Sequence, residues 1–284
     1  MKAVLTIAAV ALLTSAVKLP KLVKKQFTYV PSGTTILQDE ERSVQSFYMS
    51  KTEVTNAQYN EFLKSLNKNG TEAEKKAARV RNENWLEDFK NPMAEYAKNY
   101  STHEAYQSYP VVNVTYEGAQ LYCEWLEKQI NASWEGKKIE VRLPNHAEFI
   151  RAGAGDNPQH PYAWDDVYLR EPQGDFRANC QVIRQNQITR DASGEIVVVK
   201  PLRIDGAKNR SVDLTAPSES YEAYSYGFHN MNGNVAEMIS ESGVAVGGSF
   251  NDFGNDIQLK SRSEYDGSSV YVGFRPVFTI VGEE

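Results

Sequence analysis

One run constrains the fold more than any other: Tyr226-Gly-Phe-His-Asn-Met-Asn-Gly-Asn-Val-Ala-Glu237. It sets three Asn, two Gly and one Glu among apolar residues, a pattern that suits neither an amphipathic helix nor an alternating strand. Such a run implies a coiled loop ordered by side-chain amides, by close backbone approach at Gly, or by a cation. The residues suit a hard cation. Asn230 offers an amide oxygen, Gly233 and Val235 can turn backbone carbonyls inward, and Glu237 brings a carboxylate. Calcium takes about six to eight oxygens of this mixed kind. The competing reading is an Asn/Gly turn with a solvated Glu, because the run lacks a dense carboxylate set.

The chain start differs in kind from the rest. Lys2 precedes an apolar run, Ala3 to Ala16, that is too short to span a bilayer comfortably. Thr14 and Ala16 are small residues placed for a cleavage site, so residues 1–17 read as a signal peptide and the mature chain is expected to begin near Val17. A buried N-terminal helix or anchor is the alternative. The expected location is therefore periplasmic or extracellular, with no transmembrane span once the signal is removed. The rest, from about residue 26 to 284, reads as one domain, with no internal repeat and no Ser/Gly linker. The formal charge of −6 and the absence of a basic run after the N-terminus exclude nucleic acid as an expected partner. Only Cys123 and Cys180 are present, which is no disulfide framework; a single bridge and two buried thiols are both open.

Local signals place the elements. Phe27 to Ile36 reads as two strands about a Pro/Ser/Gly turn, Gln38 to Ser43 as a polar loop, and Val44 to Ser50 as a strand. Thr55 and Gln58 form a capping box, with Val54 and Tyr59 as a hydrophobic staple. Residues 70–98 read as a helical insertion with a mostly solvated face, and Pro110 to Val114 as a short strand. Thr115 caps a helix whose apolar stripe is Ala119, Tyr122, Cys123, Leu126 and Ile130. Asn145 and Glu148 box a third helix that is expected to stop at Gly153. A hairpin turning at Asp191 to Gly194 and closing strands at 244–250 and 271–280 complete the chain, Pro276 implying an edge or a bulge.

No G-x-S-x-G elbow, P-loop or H-E-x-x-H occurs, and the four His have no metal-ligand spacing. Six separated motifs nevertheless occur in the order of one family. They are Ser50 to Tyr59, Pro110 to Val114 with Ala119 to Trp125, Arg142 to Phe149, Gly227 to Glu237, Gly247-Gly-Ser-Phe250 and Gly273-Phe-Arg275. The chain resembles the formylglycine-generating enzyme, or sulfatase-modifying factor, family over nearly its whole length after residue 26.

The resemblance implies an α+β single domain related to C-type lectins, with little regular secondary structure, long ordered loops and structural calcium. It assigns calcium ligands to Asn230, Gly233, Val235 and Glu237, with Ala236 standing where the family usually has Trp. It implies a second calcium site beginning at Ala178-Asn179, with Cys180 giving a carbonyl and an Asp in 181–214 not securely placed. Active members hold copper through two Cys shortly after Gly-Gly-Ser-Phe; here those positions are Asp252 and Ile257, and no Cys follows Cys180. A carboxylate and an aliphatic chain cannot replace two soft thiolates, so no copper is expected. Pro276 stands where members often carry a Cys bridged to the helix Cys, which leaves Cys123 without that partner.

The expectation is a secreted, non-catalytic member that binds a protein or surface ligand, or serves in assembly. The alternatives are a sulfatase-maturation oxidase and a part of a Bacteroidetes gliding or type 9 secretion apparatus. The polar segment 251–271 suits a contact surface.

Overall fold

Short strands build the main sheet of the computed structural model, which describes residues 19–89, 94–182, 188–198 and 214–283. The expected signal peptide and the start near Val17 fall in or beside residues 1–18, outside the described residues. β1 (Phe27–Val30) pairs antiparallel with β4 (Phe47–Ser50), joining Phe27 to Ser50 and Val30 to Phe47. β12 (Val277–Gly282) then inserts between β4 and β5 (Lys138–Arg142), giving the order β1-β4-β12-β5. Pro276 is thus not at an edge. It lies just before an internal strand, where its missing N–H breaks no ladder, and its carbonyl accepts from Ser50 N at 3.0 Å.

β2 (Gly33–Leu37) and β3 (Glu40–Val44) form a separate hairpin that turns at Gln38 and Asp39, both at positive φ. The expected polar loop is therefore largely strand; its outward residues are exposed, so no apolar alternation marks it. A second small sheet has the order β10-β9-β8-β11, from β8 (Ala236–Met238), β9 (Val244–Val246), β10 (Arg262–Glu264) and β11 (Val272–Gly273). β6 (Ile188–Arg190) and β7 (Ile196–Val198) make the expected hairpin.

Helix starts follow their caps. α1 (Lys21–Gln26) precedes the expected domain start, and its Val23 is fully buried in the first core. α2 (Asn56–Asn69) has the Thr55–Gln58 box, and Val54 and Tyr59 are buried in the same core. α3 (Glu72–Ala77) is boxed by Thr71 and Glu74, and α4 (Asn84–Phe89) and α5 (Ala94–Asn99) follow. The insertion is not simply solvated: Trp85 is fully buried and its ring centroid lies 5.1 Å from that of Tyr100. Residues 110–114 are buried at Val111, Val112 and Val114 but form no strand. Their polar backbone atoms go to scattered partners instead, Val111 N to Val54 O and Asn113 N to Ser269 O.

α6 (Tyr116–Ser133) lays the expected stripe on the main sheet, and Phe278 stacks on Tyr48 at 4.6 Å between them. α7 (His146–Ala154) runs past Gly153 to a cap at Gly155. Gly153 is inside because Leu259 fills the space a side chain would need: an added Cβ would lie 2.3 Å from Leu259 Cδ2. The helices and short strands make the mixed, loop-rich α+β domain expected. Among the described residues no helix is long and apolar enough to cross a membrane.

Candidate functional site

Residues 230–237 are folded by their own amides. Asn230 and Asn234 take positive φ of 53° and 63°, a region that Asn tolerates better than most residues. Gly233 sits between them at φ 75°, where an added Cβ would stand 2.4 Å from the Asn179 carbonyl oxygen. Asn232 accepts from Ala163 N at 2.8 Å and donates to Ile257 O at 2.6 Å. Asn234 donates to Glu53 Oε1 at 2.8 Å and accepts from Ala216 N at 2.7 Å. Asn232 therefore ties this loop to residues 163 and 257, and Asn230 and Asn234 both tie it to Glu53 and to residues 216–218.

Glu237 is fully buried and held by Arg275, whose Nε and Nη2 donate to its two oxygens at 2.6 and 2.5 Å. The parallel register sets this up, because Gly273 pairs with Glu237 and Arg275 follows two residues on. Arg275 also donates to the carbonyls of Lys51 at 3.1 Å and His229 at 2.8 Å. Two-pronged pairs of this kind satisfy a carboxylate that could not stand alone in a core.

A second carboxylate lies behind the first. Glu53 is fully buried and accepts from Asn230 Nδ2 at 3.2 and 3.3 Å. Burial pushes its carboxyl up to about 7; Arg275 and the Asn234 bond pull it down, and the charge of Glu237 pushes it further up. Burial also raises the Glu237 carboxyl against the pull of Arg275. The centre thus has two buried carboxylates to one guanidinium.

The fit of calcium differs at the two expected sites. At Asn230, Gly233, Val235 and Glu237, both Glu237 oxygens already hold Arg275 and the Asn230 amide nitrogen faces Glu53. A cation there would share Glu237 with the guanidinium, using the oxygens' remaining lone pairs. At the second site Asn179 is fully buried and donates to Leu214 O and Asn234 Oδ1, while its own Oδ1 has no donor among the described residues. A buried amide oxygen left without a donor is the kind of ligand calcium takes. The Asp expected to complete that site falls largely on residues 183–187 and 199–213, outside the described residues.

The positions of the family thiols lie in one short turn. Asp252 is partly exposed, and its Oδ2 accepts from Ser249 N at 2.8 Å and Ser249 Oγ at 2.7 Å. Ile257 is fully buried in a cluster with Tyr162, Trp164, Ala178 and Cys180. A cleft of 280 Å³ beside the turn is lined by Gly248, Asp252, Asp256 and Arg262. Cys123 and Cys180 sit in different clusters and are not bonded to each other. Burial raises the Cys123 thiol well above its usual range.

Two residues central to this arrangement received no role from the sequence, Glu53 and Arg275. Both lie inside motifs that carry the resemblance, Ser50 to Tyr59 and Gly273 to Arg275. An uncommitted carboxylate and guanidinium in motifs otherwise made of turn and core residues were the available signal.

Comparison with known proteins agrees with this architecture. No curated protein matches the chain. Among solved structures, PvdO from Pseudomonas aeruginosa aligns at TM-score 0.54 and 14% identity, over 89% of this chain and 93% of that one. CarF aligns at 0.53 and 18% identity, over 88% and 97%. Treponema denticola variable protein 1 aligns at 0.50 and 16%, over 88% and 94%. At these identities the likeness shows the fold alone. The family model described as the sulfatase-modifying factor enzyme 1-like domain matches residues 17–280. The chain belongs to the sulfatase-modifying factor family.

Proposed function

We propose that the chain is a secreted, non-catalytic member of this family that binds a protein or surface ligand, or serves in assembly, with calcium as a structural ion. One observation carries the reading: the side chains at positions 252 and 257. Copper(I) is soft and is held by thiolates. Asp252 offers a hard carboxylate already engaged by Ser249, and Ile257 has no donor atom and is sealed among aromatic rings. A fold does not carry its chemistry along when the reacting side chains have changed.

Calcium is supported by the Asn179 oxygen, which has no donor among the described residues, more than by Glu237, which has Arg275. Asn179 and Cys180 would hold one ion, and Asn230, Gly233, Val235 and Glu237 another. Bound calcium would cross-link loop segments through oxygen ligands and so stabilise the folded chain alone. Secretion is supported by the apolar run of residues 3–16 and would be tested by N-terminal sequencing of the native protein, with a start near Val17 expected. The non-catalytic reading is tested by titrating Cu(I) into the purified chain against a competing chelator. The expected result is no tight two-thiolate site. One tightly held equivalent of Cu(I) would overturn it.

A further inference from the structure

Asn234 is fully buried, and its side chain reaches toward both loops that are expected to hold calcium. Its Oδ1 accepts from Ala216 N at 2.7 Å and from Asn179 Nδ2 at 3.2 Å. Its Nδ2 donates to Glu53 Oε1 at 2.8 Å and to Ala216 O at 3.2 Å. Both protons and both acceptor directions of the amide are thus used. Turning the amide over would set nitrogen against two donors and oxygen against two acceptors, so only one orientation is satisfied.

That orientation is passed on in two directions. On one side, Asn179 gives its nitrogen to Asn234 Oδ1 and, at 2.6 Å, to Leu214 O. Its oxygen is thereby turned away from both, and it is the buried oxygen that has no donor among the described residues. Asn234 N also donates to Asn179 O at 2.8 Å, so backbone and side chain fix the same pair. On the other side, the Glu53 carboxylate takes Asn234 Nδ2 and also Asn230 Nδ2, which donates to Ser218 O at 3.1 Å as well. Reversing the Asn230 amide would bring its oxygen against three acceptors. Each Asn expected as a calcium ligand therefore gives its nitrogen to this chain of bonds and turns its oxygen elsewhere.

A hydrogen bond at the far end of a ligand side chain sets where its ligating atom points. An ion on the Asn179 oxygen would draw electron density from that amide and strengthen its N–H bond to Asn234, and so on along the chain. We propose that Asn234 is a positioning residue shared by the two calcium sites, and that the chain Asn179–Asn234–Glu53–Asn230 couples them so that one ion strengthens the binding of the other. The proposal rests on the calcium reading above. It adds a residue that is no ligand, and a coupling that two independent structural ions would not show.

The test is calorimetric titration of calcium chloride into the full mature chain after treatment with a chelator. The wild type is expected to take two ions. Asn234→Ala should weaken both by about 10–100-fold, the scale of losing a partner that orients a ligand. Asn131→Ala removes two hydrogen bonds to Ile139 and none to either loop, so it should leave both affinities within about twofold. Weakening of one site alone by Asn234→Ala, weakening of neither, or equal weakening by Asn131→Ala would overturn the proposal. If Asn234→Ala does not fold, Asn179→Ala decides: a drop of about fivefold or more in affinity for the remaining ion supports the coupling, and a smaller change overturns it. Uptake of fewer than two ions by the wild type would overturn the two-site calcium reading and the proposal together, whereas every other failure leaves that reading standing.

Discussion

The Asn230–Glu237 loop and the Ser249–Ile257 turn are neighbours with opposite uses of their polar atoms. They are stitched together by Gly233 N to Gly247 O and Phe250 N to Asn234 O, both at 2.8 Å. In the loop, buried charge meets buried charge, and three Asn amides reach out to distant segments. In the turn, the Asp252 carboxylate bonds to Ser249 nearby, and Ile257 contributes hydrocarbon. The difference separates what the fold requires from what a reaction would require. The loop's network is needed for the domain to close, whatever the domain does. The turn needs only side chains that complete its backbone, so its chemistry can change while the fold stays.

The largest effect is expected at Arg275. Arg275→Met leaves Glu237 buried without its partner and removes donors to Lys51 O and His229 O. Losing one member of a buried pair costs about 3–5 kcal/mol, so the urea midpoint should fall steeply, or the chain should fail to fold. A loss below about 1 kcal/mol would put the pair on a par with a surface salt bridge. Calcium sharpens the picture next. At a hundredfold excess over its dissociation constant, an ion bound only to the folded state adds about 2.7 kcal/mol. Chelation should then lower the melting temperature, and Asn179→Ala should blunt that response. An unchanged melting temperature on chelation would mean that the protein's own groups order both loops. The smallest effect belongs to the turn. Asp252→Ala removes two hydrogen bonds local to Ser249 and should cost about 0.5–1.5 kcal/mol by chemical denaturation.

What could be read from the sequence was mostly what neighbours decide. The boxes at Thr55–Gln58 and Asn145–Glu148 span three residues, and the structure forms both. The stripe from Ala119 to Ile130 needs only helical spacing, and the turn at Asp191 to Gly194 needs only its own four residues. Glu40 to Ser43 was illegible as strand because the pairing that makes it one leaves its side chains in water. Val111 to Val114 misled in the other direction, being apolar enough for a strand but satisfied one bond at a time by unrelated segments.

The site followed the same rule. Its backbone shape was legible in the spacing of Asn230, Gly233 and Asn234. The partner of Asn230 was not, since Glu53 lies 177 residues away. Arg275, 38 residues from Glu237, could be paired with it only once the parallel register of β8 and β11 was known. Charge partners in a core are chosen by topology, and periodicity carries no trace of that choice.

The domain keeps the family fold, and we propose that it has given up thiol chemistry at positions 252 and 257. The most direct measurement is mass spectrometry of a sulfatase-type Cys peptide incubated aerobically with the mature chain, Cu(I) and a thiol reductant. The peptide is expected to keep its cysteine, with no aldehyde formed above the protein-free rate. Catalytic conversion of the peptide cysteine to an aldehyde, with repeated turnover, would contradict it.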